Sequence, residues 1–173
     1  MKPILRGRKF PFLFCLILFM AACEPENPVS SNENQSSGYP GVEEALWSYF
    51  EDFEEEGRNR GYNINIRAQG ITGEIAEIDQ EHVAGRCTFN FRAPNHITID
   101  QEFWQEVPNR SIREMIIFHE LGHCYLGQDH REGVLNRNIC ASIMRSGTEG
   151  CFDNYTTDTR SYYLDELFDF EDN

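Results

Sequence analysis

Two histidines and a glutamate carry the most telling chemistry in this 173-residue chain. They lie in the stretch Phe118-His119-Glu120-Leu121-Gly122-His123-Cys124-Tyr125-Leu126-Gly127-Gln128-Asp129-His130. His119 and His123 stand four apart, the spacing that puts two side chains one turn apart on the same helix face. Imidazoles so placed can offer nitrogens to a single divalent cation without bending the backbone. Glu120, beside the first of them, can reach a water on that cation rather than the cation itself, and so act as a general base. Catalytic zinc keeps three protein ligands and one open position. The third donor would come from Asp129 or His130, six and seven residues past His123, after a glycine able to turn the chain back.

The surrounding residues read as a helix built to hold these groups. Pro108 lies just upstream, and Ser111 followed by Glu114 reads as a capping box. Ile112, Met115, Ile116, Phe118 and Leu121 supply an apolar surface at helical spacing. Gly127 is a natural stop, since glycine tolerates the left-handed conformation that follows a helix. The bland alternative is a core helix whose histidines are merely hydrogen-bonded. His82 and His96 share no helix face with the site and read as surface or turn residues.

With its glycine and following histidine, the stretch resembles the zinc site of metzincin-type metallopeptidases, in the form of a small bacterial lipoprotein. Ser142-Ile143-Met144 is similar to their Met-turn, a tight turn that puts a methionine under the metal. The family pattern is H-E-x-x-H-x-x-G-x-x-H or -D. Here Gly127 and His130 are both displaced by one residue, whereas Asp129 keeps the nominal ligand spacing. The joint displacement, and the suitability of imidazole for zinc, favour His130 over Asp129. The resemblance covers residues 111–147 and implies an α+β, metzincin-like zincin domain. In it a small mixed sheet packs on helices, with an HExxH active-site helix and a Met-turn. It implies Zn2+ held by His119, His123 and His130, Glu120 as the catalytic residue, and Met144 as a support. Some members place a tyrosine two residues after the methionine. That position is Ser146 here, with Tyr155 a distant substitute.

Lys2, Arg6, Arg8 and Lys9 precede an apolar run over residues 10–20, and Ala21-Ala22-Cys23 follows. Residues 1–22 thus read as a secretory signal, too short for a membrane span. A cysteine after two small residues is similar to the lipobox of bacterial lipoproteins. It would make Cys23 a lipid-bearing N-terminus at the bacterial cell envelope, facing the periplasm or the surface; plain secretion is the alternative. Residues 23–40 follow as the lipidated cysteine and a polar, disordered tether, reaching on the order of 20–25 Å. Residues 41–173 then form the metallopeptidase domain. Loss of the signal removes four basic and no acidic residues, leaving 11 basic, 29 acidic and a formal balance of −18. Such a surface repels nucleic acid. The expected partners are a protein or peptide substrate and the membrane that holds the lipid, and the expected state is a monomer.

Cys15 lies in the signal, so Cys87, Cys124, Cys140 and Cys151 remain in an oxidising compartment. They fit two disulfides, with three possible connectivities. Cys140 and Cys151 bracket the Met144 turn, and joining them would stiffen the floor of the site. That choice leaves Cys87 with Cys124. Four thiolates as a second zinc site would lack any C-x-x-C spacing.

Along the chain, residues 41–56 carry Val42, Ala45, Leu46, Tyr49, Phe50 and Phe53 at helical steps, with Gly57 and Gly61 as the stop. Alternation predicts strands over residues 62–67, ambiguously within 71–78, over 83–91, and at Ile97-Thr98-Ile99. Residues 88–95 are the candidate edge that borders the cleft and pairs with an extended substrate. Residues 132–138 read as a loop, and residues 155–168 as a C-terminal helix under the Met-turn.

These readings converge on a zinc-dependent metalloendopeptidase that hydrolyses peptide bonds at the envelope with a cation-activated water. The alternatives are a zinc-binding envelope lipoprotein without catalysis and a gluzincin-like site whose last ligand is a later glutamate such as Glu166.

Overall fold

The computed structural model describes residues 38–135 and 139–169. The signal, Cys23, most of the tether, residues 136–138 and the acidic end at 170–173 lie outside them. Among the described residues no helix is long and apolar enough to cross a membrane. The packed chain starts inside the stretch read as tether, for Tyr39 is buried with its ring edge-on to Phe50.

The apolar stripe Leu46, Tyr49, Phe50 and Phe53 becomes the buried face of α1 (Glu44–Asn59). The helix runs through Gly57 instead of stopping there. The bare glycine serves close approach, because a Cβ would collide with Ile64. The turn at Gly61 (φ 87°) follows the helix end.

No strand forms over residues 62–67. A one-turn helix α2 (Ile66–Gln69) lies there, capped by the Asn65 side chain on Ala68 N. Side chains take the backbone donors that a ladder would have used. Ile66 N donates to Glu54 Oε1 at 2.7 Å, and Asn65 N to Tyr125 Oη at 2.8 Å.

Strands β1 (Thr72–Ala76), β2 (Gly85–Thr88) and β3 (His96–Asp100) form a mixed sheet in the order β1-β3-β2. Central β3 runs parallel to β1 and antiparallel to β2, and buries Ile97 and Ile99 against the helices. Asp100 then caps an unanticipated helix, α3 (Gln101–Glu106), by accepting from Phe103 N at 2.8 Å.

Helix α4 (Arg110–Cys124) packs against β2, β3 and α1. The capping box read from Ser111 and Glu114 does not form. Asn109 caps instead, accepting from Ser111 N and Ile112 N, and Glu114 turns inward. There it accepts from Tyr155 Oη at 2.6 Å and Arg160 Nε at 2.7 Å, while Arg160 Nη1 reaches Glu56 Oε1 at 2.5 Å. This network joins α1 and α4 to α5 (Arg160–Phe168), which begins later than residue 155 because a 3-10 helix (Thr148–Asn154) and a turn come first. Truncating one side of a buried ion pair costs roughly 3–5 kcal/mol. Arg160 keeps 30 % of its side chain exposed, so Arg160→Met is expected at or below the lower end of that range in urea unfolding. Adding Glu114→Gln to it should recover part of the loss.

Both disulfides pair as read: Cys87 with Cys124, and Cys140 with Cys151, each with Cα atoms 5.6 Å apart. The first staples edge strand β2 to the end of α4. Met144 is fully buried with its sulfur against Gly122, so the 142–144 turn does lie beneath the histidine helix.

Candidate metal centre

Two backbone carbonyls decide what the α4 imidazoles can do. His119 Nδ1 lies 2.6 Å from Ile143 O, and His123 Nδ1 lies 2.6 Å from Gln128 O. A carbonyl can only accept, so each Nδ1 carries the proton and each neutral ring turns a bare Nε2 lone pair the other way. Those lone pairs converge: His119 Nε2 and His123 Nε2 are 3.1 Å apart, and His123 Nε2 and His130 Nε2 are 3.2 Å apart.

Two acceptors at that distance need a proton or a cation between them. Burial disfavours the proton, holding His119 down to about 4 and lowering His123 as well. A cation fits better. Tetrahedral Zn–N bonds of about 2.0–2.1 Å would set the nitrogens about 3.3 Å apart. Among the described residues His119, His123 and His130 form a group whose donor atoms all lie within 4.8 Å of one another. A metal ion can therefore be held here.

The local sequence explains how His130 arrives. After α4 ends, Tyr125 N bonds Leu121 O, and Gly127 takes φ 68° to send the chain back. Gln128 N then bonds Gly122 O at 3.0 Å. The displaced glycine still falls where the turn is needed. Asp129 borders the cleft but stays out of the histidine group. Glu166 pairs with Arg131 at 2.7 Å, Tyr155 is taken by Glu114, and Ser146 by Glu132. His96 bonds Thr72 Oγ1 on the sheet. His82 sits at the cleft rim with a left-handed backbone, φ 63°.

Glu120 shares the cleft and is only 5 % exposed. Burial pushes its carboxyl up to about 8, against the opposing pull of the Cys87 backbone and Arg86. Strand β2 passes so close that a Cβ on Gly85 would stand 2.8 Å from Glu120 Oε1. The cleft has a volume of about 440 Å³ and is walled on one side by β2, the end strand of the sheet. The edge that borders it is therefore Gly85–Thr88. Of residues 88–95 only Thr88 is strand, because Asn90 and Asn95 fold the rest onto itself through side-chain bonds to backbone N–H groups. A larger pocket of about 810 Å³ adjoins across His82, Val83 and Ala84, and His119, His123 and His130 do not line it.

Reading the sequence missed Gly85, Gln128 and the Ile143 carbonyl. Only Gly122, a residue without a side chain set within the motif, hinted that something must pack closely there. No known protein family, no characterised protein and no solved structure matches the chain, so the functional reading stands on this geometry and on the residues that form it.

Proposed function

We propose that the domain is a zinc-dependent metalloendopeptidase of metzincin type, working at the bacterial envelope on a lipid anchor at Cys23. The observation that carries this reading is three imidazole Nε2 atoms converging in a cleft beside a buried carboxylate. Of the common cations, zinc best suits an all-imidazole set with one position left open. When bound, it would supply Lewis acidity, lowering the pKa of water toward neutrality and polarising the scissile carbonyl.

The remaining work belongs to the chain. His119, His123 and His130 hold the cation, with the first two rings fixed through their Nδ1 protons by Ile143 O and Gln128 O. Glu120 takes the proton from the attacking water on a carboxylate oxygen and passes it to the leaving amine. In the metal-free chain burial raises its proton affinity; a cation bound beside it would favour the ionised carboxylate that can accept the proton. The outer edge of β2 offers main-chain groups to an extended peptide, and Gly85 keeps that strand clear of the carboxylate. Met144 packs under Gly122 and supports the helix from below.

The test is zinc content together with cleavage of an unfolded protein or a quenched peptide library. One zinc per chain, with cleavage stopped by a chelator and restored by zinc, is expected. One zinc without cleavage would leave the non-catalytic lipoprotein reading. No bound zinc would remove both.

A further inference from the structure

Gln128 is tied to three parts of the fold at once. Its N–H bonds Gly122 O near the end of α4 at 3.0 Å. Its carbonyl receives the His123 Nδ1 proton at 2.6 Å. Its side-chain Nε2 donates to Leu167 O, in the last turn of α5, at 2.6 Å. That last bond fixes the amide orientation, since only the NH2 end can donate to a carbonyl.

The residue is 8 % exposed, and its Oε1 is buried without a hydrogen-bond partner among the described residues. An apolar side chain of the same length would avoid that buried oxygen and its desolvation cost. Packing alone does not call for an amide here. Helix α5 is itself firmly docked, with Leu164 and Leu167 fully buried and Phe168 against Phe53. It offers a rigid point from which to hold a loop.

We propose that Gln128 is a positioning residue for the metal centre, transmitting the docked position of α5 to the His123 ring. The side-chain amide holds the 127–130 turn against Leu167, the turn holds its carbonyl on Nδ1, and the carbonyl aims Nε2 at the other two imidazoles. Outer partners of this kind orient a ligating histidine and fix its tautomer. This inference rests on the zinc reading for its consequence, while the hydrogen-bond chain exists without metal.

The test substitutes Gln128→Met, similar in length but unable to donate. Zinc affinity is expected to fall roughly 10–100-fold, and the visible spectrum of the cobalt-loaded protein to shift. Metal-free melting should change little, as the lost bond is offset by removal of the partnerless oxygen. In metal-free protein, ring 15N shifts should report His123 protonated on Nδ1 in the wild type and a tautomer mixture in the variant. Unchanged affinity, cobalt spectrum and tautomer would overturn the proposal. So would a parallel drop in melting and affinity with spectrum and tautomer intact, which is a purely structural effect. If Gln128→Met fails to fold, Gln128→Ser, too short to reach Leu167, gives the same readouts. A wild type that binds no zinc or cobalt would sink the zinc reading, and the tautomer measurement would still decide the role of Gln128.

Discussion

Glu120→Gln is expected to keep whatever zinc the wild type binds and to lower peptide hydrolysis roughly 10²–10⁴-fold, the range a positioned general base supplies. The amide has the shape of the carboxyl but cannot accept the proton. Because Glu120 is not among the converging donors, replacing its carboxyl should leave the three-histidine group intact. The substitution also has a signature in the metal-free protein. In the folded chain burial pushes the Glu120 carboxyl up to about 8, above its usual value near 4.5. The folded state therefore holds this proton more tightly than the unfolded state. Its contribution to stability is fully present below about pH 4.5 and is lost as pH rises through about 8. Glutamine never ionises and so escapes that loss. With zinc chelated, Glu120→Gln should unfold at higher urea than the wild type at pH 8.5, by an amount on the order of a few kcal/mol. The difference should vanish near pH 4. Equal turnover in the variant would end the general-base role, and equal unfolding at both pH values would show that burial does not perturb this carboxyl.

The parts of this fold that sequence could show are those set by side-chain spacing. The four-residue step from His119 to His123 and the stop at Gly127 translate directly into a shared helix face and a left-handed turn. Of the three connectivities open in the sequence, the one found contains the short Cys140–Cys151 loop around the turn under the helix. Misreadings arose where one chemical signal has two physical uses. Alternation at Tyr62, Ile64 and Ile66 satisfies an extended segment whose donors go to Glu54 and Tyr125 as well as it would a strand. Ser111 and Glu114 have capping-box spacing, but Asn109 reaches the free N–H groups first, and Arg160 and Tyr155 claim the glutamate. Gly57 reads in the sequence as a helix stop, and it serves instead as room for Ile64. The carbonyls that fix the histidine tautomers belong to residues whose identity says nothing about where a backbone oxygen points.

His130→Ala and Asp129→Asn should part company in the same way, and by a wide margin. The sequence left these two neighbours competing for the third ligand position, one by chemical preference and the other by spacing. The turn at Gly127 favours His130 in terms of reach. It delivers His130 Nε2 to 3.2 Å from His123 Nε2, while Asp129 stays at the cleft wall. Removing a ligand should cost more than removing the outer partner of one, so His130→Ala is expected to weaken zinc binding beyond the roughly 10–100-fold typical of outer-partner loss. Asp129→Asn should leave affinity within a few-fold of the wild type. Glu166→Gln should do the same, because that carboxylate pairs with Arg131. Competition titration with a chromophoric chelator measures all three. Loss of affinity in Asp129→Asn with retention in His130→Ala would mean that the turn presents the other neighbour when metal is bound, and the three-imidazole centre would have to be abandoned.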